Sequence, residues 1–486
     1  MGHMNVGNFR TPTIAAIVAA LAVGGGLPIN PSSTPPGSVA AAEDPLTVTI
    51  PSPPCLAVTY LHASVVPGAR DTQAFRFSDG RLGVDAGTTS LYSSDNGHTW
   101  SPGPQAPATF NTKVAFDFGD GEIVSFGRTT TRRGAAYGVG QFRSTDNWLT
   151  TITEVGLFHT PLAVTFTGDN GVSKPDEGLL MHHGMLRLLN GDLLATMYGN
   201  YEGDTSLVEG VPESWNMRKF RTVVISSSDR GRFWSRPVTV AYNEMISPLT
   251  GEIVPAVARE GFNEADLTRT ASGDLVVVMR TGGRTNVEPQ PDPSPVYLSR
   301  SRDEGESWST PVAVTEHGTN PSLVTLQNGS MVLSYGGRGG WITFSCDDGE
   351  TWAGTFRLTN SDNYTSVVPV DRDAFMVFYF ASSGPGGVRA AAFSAQRRGT
   401  PPRIEFSATP AIEAGEEATL SWTAANAQNC VLAGGVFGAG AQVSHSEMRT
   451  SGSLTRTTTF TLRCESLSDP QFVSQTRQTV AVQRAP

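Results

Sequence analysis

The chain has 486 residues, a formal net charge of −10 and only 16% charged residues. This acidic balance argues against a nucleic-acid partner or an anionic membrane surface, because both need a basic face. The length exceeds one ordinary core and therefore indicates two domains or one large repeat architecture. The 52 glycines and 32 prolines indicate many tight turns, and apolar runs such as LVVVM and FMVFYF are short and β-branched or aromatic. We therefore expect an all-β protein.

The first 42 residues have the pattern of an export segment. Arg10 precedes an apolar run at residues 14–27, and small residues just before Glu43 suit cleavage there. The alternative is a lipid-anchored or membrane-retained N-terminus, although the apolar run is short for a spanning helix. We expect a secreted or cell-surface protein with no membrane insertion once residues 1–42 are removed.

Four cysteines fit an exported protein. Cys430 and Cys464 lie in one C-terminal segment and could cross-link it. Cys55 and Cys346 lie far apart in sequence and need not pair. No Cys or Cys/His spacing indicates zinc.

An eight-residue pattern, S-x-D-x-G-x-[T/S/F]-W, recurs along the chain. Copies or shortened copies lie at residues 93–100, 144–148, 227–234, 301–308 and 345–352. Such a segment predicts a turn in which Asp accepts backbone hydrogen bonds, Gly takes a positive φ and Trp packs between layers. Because the copies are nearly identical, the adjacent acids Asp347 and Asp348 are predicted to brace a turn rather than to form a catalytic pair.

A second pattern, a turn such as SDG, GDG, NGD or SGD followed by an apolar strand, recurs six times, the last copy being weaker. Its spacing predicts six similar four-stranded units, which is typical of a six-bladed β-propeller over residues 43–398. The strand at 56–63 is expected to pair with the strand at 388–395 and to close the ring. Residues 402–486 change to short alternating strands and predict a small Ig-like β-sandwich, a spacer or adhesion module.

Residues at matching positions of different blades should converge near the axis of a propeller. The residues at these positions are unusually polar for strand ends. Counting backward from the turn of each unit gives Arg70, Lys113, His182, Glu264, Asn320 and Tyr364. Counting forward from the turns gives Arg128, Tyr198, Arg280 and Arg338. A propeller that was only packed would place apolar or small residues at several of these positions.

The repeated boxes, the six turn-strand units and the export segment together resemble the sialidase (neuraminidase) superfamily, whose boxes are called Asp boxes or BNR repeats. The resemblance implies an exo-glycosidase that binds a sugar carboxylate with three arginines. It also implies a tyrosine nucleophile, a glutamate that takes the tyrosine proton and an aspartate acid/base. A neutral tyrosine suits this task because a carboxylate nucleophile would be repelled by the carboxylate of the substrate.

The family pattern is carried by separate segments of this sequence. NEADLTRTASGDLVVVMR resembles the segment with the base and the second arginine, Glu264 and Arg280. The segment ending in SYGGRGGWITFS resembles the one with the third arginine, Arg338, and NYTSVV nominates Tyr364. For the first arginine the register in GARDTQAFRFSDG favours Arg70. Arg76 is the alternative, but it would lie in the middle of a strand.

The acid/base is expected at Asp85, the sole carboxylate in the short link between the first turn-strand and the first box. His182, His183 or Asp71 are alternatives, and Asp85 could instead be an ordinary turn residue. A long insertion at 197–220 predicts either a wall over the funnel, with Tyr201, Glu202, Asp204 and Trp215, or a solvated loop.

The leading hypothesis is a secreted glycoside hydrolase that releases terminal sialic or related nonulosonic acids from glycoconjugates by a retaining mechanism. It needs no cofactor and no metal. The alternatives are an exo-glycosidase of the same fold acting on another sugar, uronic or neutral, and a glycan-binding propeller without turnover.

Overall fold

A computed structural model of the protein describes the following residues: 50–69, 72–85, 90–102, 114–160, 166–167, 173–174, 177–208, 216–235, 237–245, 260–282, 294–361, 364–381, 387–399, 401–467 and 473–483. All of them belong to one compact unit, Asp44–Pro486. The expected export segment lies outside them. The described backbone consists of β-strands and turns with a short 3-10 helix at Gly435–Phe437, so the all-β class is confirmed. It contains no helix long and apolar enough to cross a membrane.

Antiparallel meanders succeed one another along residues 56–397, and each is called a unit here. Unit 1 contains β2 (Ala74–Arg76), β3 (Leu82–Asp85), β4 (Ser90–Ser93) and β5 (Ser101–Pro102). Unit 2 contains β6 (Ala115–Asp117), β7 (Ile123–Phe126), β9 (Ala136–Ser144) and β10 (Ile152–Phe158), with β8 (Thr129–Arg133) beside β9. A separate hairpin joins β11 (Phe166–Thr167) to β12 (Ser173–Lys174).

The later units repeat the same order. Unit 3 contains β13 (Glu177–Arg187), β14 (Leu193–Gly199), β15 (Arg221–Ser227) and β17 (Val238–Ala241), while β16 (Phe233–Trp234) pairs with β10. Unit 4 contains β18 (Asn263–Arg269), β19 (Leu275–Arg280), β20 (Tyr297–Ser301) and β21 (Val312–Ala313). Unit 5 contains β22 (Thr319–Thr325), β23 (Met331–Gly336), β24 (Gly340–Ser345) and β25 (Ala353–Thr359). Unit 6 contains β26 (Thr365–Asp371), β27 (Ala374–Phe380), β28 (Val388–Arg397) and β1 (Leu56–Val66).

The two ends of this region meet in unit 6. Strand β1 pairs antiparallel with β28, from Leu56 opposite Arg397 to Val66 opposite Val388. The predicted pairing of residues 56–63 with 388–395 is therefore confirmed. A strand from the beginning of the chain covers what would otherwise be an open edge of the last unit.

The recurring box segments form the predicted turns. At the first copy, Ser93 Oγ donates to Asp95 Oδ1 at 2.7 Å and accepts from the Gly97 amide at 2.7 Å, and the Thr99 amide donates to Asp95 Oδ1 at 3.0 Å. Equivalent bonds hold the later copies. In the last copy Asp347 accepts from Thr351, and Asp348 accepts from two backbone amides of the turn after β18. Both acids therefore brace turns.

Apolar side chains fill the space between neighbouring units. One cluster joins Leu194 and Val224 of unit 3 to Val277 and Trp308 of unit 4. Trp308, from a box segment, is 1% exposed.

The C-terminal region forms two further sheets around its own apolar cluster. Its strands are β29 (Arg403–Ala408), β30 (Ala411–Glu413), β31 (Glu417–Ala425), β32 (Ala427–Ala433), β33 (Ala441–Val443), β34 (Ser446–Ser453), β35 (Thr458–Ser466) and β36 (Val473–Gln483). Their sheet orders are β29-β31-β34 and β30-β36-β35-β32-β33. Trp422 is buried between them. From β36, Gln475 donates to Asp348 at 3.2 Å and Arg477 pairs with Asp274.

All four cysteines are paired. Cys430 bonds to Cys464 within the C-terminal sheets. Cys55 bonds to Cys346, 291 residues away. The sequence left this second pair open, because only the folding of β1 onto unit 6 brings Cys55 beside the last box of unit 5.

Candidate functional site

The residues nominated as nucleophile, base and second arginine lie together. Tyr364, directly before β26, donates its hydroxyl proton to Glu264 Oε1 at 2.6 Å. Arg280 Nη1, at the end of β19, donates to Glu264 Oε2 at 2.6 Å and to the Tyr364 hydroxyl at 3.2 Å. Units 4 and 6 thus contribute to one hydrogen-bonded group, although Glu264 and Tyr364 are 100 residues apart.

A bulge in the pairing of β18 with β19 directs the Glu264 side chain toward Tyr364 and Arg280. The pairing of β18 with β19 shifts register between Asn263 and Asp266, and Glu264 takes a left-handed φ of 41°. The same shift recurs at the start of β22, where Asn320 has φ 45°. Such bulges redirect a side chain at a strand end. Asn320 Nδ2 donates to the carbonyl of Thr365 at 3.0 Å and anchors the residue that follows Tyr364.

The charges of the group set its protonation states. Burial by itself would raise the pKa of Glu264, but the positive charge of Arg280 and hydrogen bonds from Tyr364 and Arg280 hold it below its ordinary value. Burial, followed by the negative charge of Glu264, raises the pKa of Tyr364 above that of a free tyrosine. Glu264 is therefore ionised and Tyr364 protonated at neutral pH. The pair is a proton acceptor and a proton donor already in contact.

A second carboxylate supports Arg280. Glu260 Oε2 lies 3.6 Å from Arg280 Nη2. Burial lowers the pKa of Arg280, yet the charges of Glu264 and Glu260 outweigh that effect and raise it. Arg280 is 9% exposed and remains a fixed positive charge between two acids.

The two histidines nominated as alternative acids are buried beside this group. His182 Nε2 lies 3.9 Å from Glu264 Oε1, and the ring centroids of His182 and His183 are 4.2 Å apart. Both histidines are buried, at 1% exposed for His182 and 3% for His183.

Arg128 and Tyr198 form a second contact at the site. Arg128 Nη2 donates to the Tyr198 hydroxyl at 2.7 Å. Like Arg280, each follows the glycine of its unit's turn by seven residues. The ring centroid of Tyr198 lies 6.0 Å from that of His182, whose Nε2 lies 3.9 Å from Glu264 Oε1, so the two residues are close to the Tyr364–Glu264 pair. Counting along the repeats listed these positions, but no motif assigned them a role.

Arg338 lies on the turn between β23 and β24. It is exposed, has φ 55°, and its carbonyl accepts from Arg357 Nη2 at 2.6 Å. Gly336 occupies the strand position equivalent to Arg280, since Gly336 faces Thr319 as Arg280 faces Asn263. Arg338 therefore stands two residues beyond the position of the second arginine. A Cβ added to Gly340 would lie 3.0 Å from Thr365 Cγ2, so this turn packs beside the start of β26.

Several nominated residues fall outside the described part of the chain. They are Arg70, Asp71, Lys113 and Trp215. Asp85 ends β3, where it pairs with Ser90, but its side chain is also outside the described atoms. Arg76, the alternative first arginine, lies in β2 and donates to the carbonyl of Pro369 at 2.9 Å, which is a contact between units.

The described start of the insertion is braced internally. Arg221 Nε donates to Asp204 Oδ2 at 3.2 Å. The Arg221 guanidinium also lies 4.7 Å from the ring centre of Tyr201 and 4.2 Å from that of Tyr242. Asp204, 4% exposed, therefore stabilises the start of the insertion through its contact with Arg221. Within the described ranges, no group of three or more His, Cys, Asp or Glu side chains is arranged to hold a metal ion.

No protein-family model matches the chain, and no curated protein sequence matches it. Solved structures similar to it include a protein of unknown function from Dyadobacter fermentans, at 18% identity over 70% of this chain and 99% of that chain, with a TM-score of 0.47. The NanB sialidase from Streptococcus pneumoniae is similar at 10% identity over 87% and 92% of the two chains, with a TM-score of 0.33. A polysaccharide lyase, an ulvan lyase, is similar at 11% identity over 86% and 96%, with a TM-score of 0.36.

Proposed function

We propose that this protein is an exported exo-glycosidase that releases terminal sialic or related nonulosonic acids from glycoconjugates with retention of configuration. The observation that carries the proposal is the 2.6 Å hydrogen bond from Tyr364 to Glu264, bridged by Arg280. A tyrosine buried against a carboxylate and a guanidinium suits a nucleophile that must be neutral at rest and lose its proton on attack.

The architecture that goes with this function is a sialidase-like six-bladed propeller over residues 43–398, followed by an Ig-like module over residues 402–486. The succession of antiparallel units with repeated box turns supports the propeller. The pairing of β1 with β28 supports its closure. Two sheets around a separate apolar cluster support the module.

The reaction proceeds in two displacements. The Tyr364 oxygen bonds to the anomeric carbon as its proton passes to Glu264, and the glycosidic oxygen leaves with a proton from the acid, which we assign to Asp85. Asp85 then takes a proton from water as the water oxygen attacks the same carbon. The bond to Tyr364 breaks, and Tyr364 recovers its proton from Glu264.

The sugar carboxylate is assigned to Arg280, Arg338 and Arg70, because a guanidinium can pair with both carboxylate oxygens. Arg280 already donates to Glu264. A substrate carboxylate that draws Arg280 toward itself weakens this contact and raises the proton affinity of Glu264. Binding thus prepares the base for the tyrosine proton.

The test is turnover of a fluorogenic sialoside by Tyr364→Phe. We expect no detectable release, because phenylalanine cannot form the glycosyl-enzyme. Tyr60→Phe, which removes a hydroxyl from β1, is the matched control and should retain activity. Full turnover by Tyr364→Phe would remove the proposal.

The two alternatives are favoured by one feature, the link of only four residues, 86–89, between β3 and β4, which leaves little room for an acid-bearing loop. The first alternative is the same chemistry on another sugar, uronic or neutral. The second is glycan binding without turnover. Assaying release from sialosides, uronides and neutral glycosides, together with binding to the same compounds, separates the three.

A further inference from the structure

Arg128 and Tyr198, beside the Tyr364–Glu264 pair, bond to each other and form no hydrogen bond or ion pair with a carboxylate within the described residues. Arg128 is exposed, and its guanidinium forms no ion pair with any carboxylate that the structure describes. The Tyr198 hydroxyl accepts from Arg128 at 2.7 Å, but its own proton reaches no described acceptor. Arg280 differs, because Glu264 and Glu260 both compensate its charge.

The burial of Tyr198 makes this arrangement costly without a ligand. The residue is 4% exposed, and a buried hydroxyl proton without an acceptor is unfavourable. Burial raises the pKa of Tyr198 to about 12, so the hydroxyl keeps its proton and remains a donor at neutral pH. A charged donor and a neutral donor within one hydrogen bond of each other match the two oxygens of a carboxylate.

We propose that Arg128 and Tyr198 form an anion subsite that binds a carboxylate of the ligand next to the Tyr364–Glu264 pair. The class of ligand, an acidic sugar, rests on the proposed function. Two sources can supply the group: the carboxylate of the terminal sugar, or that of an acidic sugar linked to it. The subsite adds a positive charge from unit 2 to those already assigned to the carboxylate.

The experiment measures binding in the full chain carrying Tyr364→Phe, so that no ligand is consumed. The probes are N-acetylneuraminate, its methyl ester and the disaccharide of two N-acetylneuraminate residues, titrated by calorimetry. Arg128→Ala should weaken binding of an acidic probe about 10- to 100-fold, the loss expected for a hydrogen bond to a charged group. Tyr198→Phe should weaken it about 3- to 10-fold.

Matched controls separate the subsite from general effects of charge and folding. Arg132→Ala removes an exposed arginine from neighbouring β8 and should leave the dissociation constants unchanged. Arg128→Lys keeps the positive charge without the planar guanidinium and should recover part of the lost affinity for the acidic probe. This variant also tests the subsite if Arg128→Ala fails to fold. The methyl ester should bind with no dependence on Arg128.

The outcomes decide the proposal and its ligand. An effect on the monosaccharide assigns the subsite to the terminal carboxylate, and an effect on the disaccharide alone assigns it to the linked sugar. The subsite would be overturned if the substitutions left the dissociation constants unchanged, or if they weakened binding of the acid and of its methyl ester equally. It would also be overturned if neither acidic probe bound. Sugar release by the unsubstituted chain is measured separately, so binding that depends on Arg128 without release refutes the glycosidase and leaves the subsite standing.

Discussion

At the scale of single residues, the site depends on how one carboxylate is shared. Glu264 accepts from Tyr364 with one oxygen and from Arg280 with the other. The guanidinium keeps Glu264 ionised in spite of its burial, and burial together with the negative charge of Glu264 raises the pKa of Tyr364 and keeps it protonated. The same contact that orients the tyrosine therefore joins a protonated hydroxyl to an ionised carboxylate.

Replacing this carboxylate tests the assignment of the base. Glu264→Gln should lower kcat about 10²- to 10⁴-fold, the range for loss of a general base. Because the pKa of Glu264 lies below its ordinary value, this group should make kcat/KM of the unsubstituted protein fall in acid, as pH drops through that lowered pKa. This acid limb should be absent in Glu264→Gln. Glu260→Gln, which alters the second carboxylate beside Arg280, should cost less, and equal losses in the two variants would contradict the assignment.

At the scale of elements, the strands that carry the site are joined by a buried carboxylate. Asp266, on β18, accepts from its neighbour Leu267 at 2.8 Å and from Leu323 of β22 at 2.8 Å. Burial raises the pKa of Asp266 to about 6, although these hydrogen bonds oppose the rise. Units 4 and 5 are therefore held together by a group that is costly to ionise.

This raised pKa predicts a pH dependence of stability. The folded protein holds the Asp266 proton more tightly than the unfolded chain, so stability present below about pH 4 is lost as pH rises through about 6. The rise in the pKa of Asp266 from 3.8 to about 6 corresponds to about 3 kcal/mol of unfolding free energy. The difference in unfolding free energy between Asp266→Asn and the unsubstituted protein should change by about this amount between pH 4 and pH 7 in denaturant titrations. A constant difference would show that burial leaves Asp266 unperturbed.

At the scale of the whole molecule, the chain ends of the repeated region are held by sheet pairing and by a covalent bond. Strand β1 completes unit 6, and Cys55, just before it, is bonded to Cys346 of unit 5. The bond closes a loop of 291 residues, whereas Cys430–Cys464 spans 34. In the loop-closure model these separations correspond to about 6 and about 4 kcal/mol of stabilisation.

Removing the long-range bond should therefore destabilise the whole repeated region. We expect the double substitution of Cys55 and Cys346 by serine to lower the thermal midpoint of the units that carry the site and to expose β1 to limited proteolysis. The matched substitution of Cys430 and Cys464 should affect the C-terminal sheets and leave turnover at moderate temperature intact. Equal protection of β1 in the two variants would show that sheet pairing alone holds it.

Part of the candidate site could be predicted from the sequence. Counting from the turns placed Glu264, Arg280 and Tyr364 among ten polar positions, and the resemblance of their segments to the sialidase family nominated these three, which share hydrogen bonds. Counting was less successful for Arg338, because the glycines around it extend β23 into a turn and move the arginine two residues past the equivalent strand position. The acid Asp85 and the first arginine, Arg70, remain predictions.

The sequence by itself determined the turns, the strands and the all-β class, because their hydrogen bonds join residues only a few positions apart, as Ser93, Asp95 and Gly97 do. Only the tertiary structure decided the pairing of Cys55 with Cys346 and the contact of Arg128 with Tyr198. Partners far apart in sequence meet through the packing of whole sheets. That packing sums many weak contacts between units, so spacing along the chain alone does not specify which polar side chains face each other.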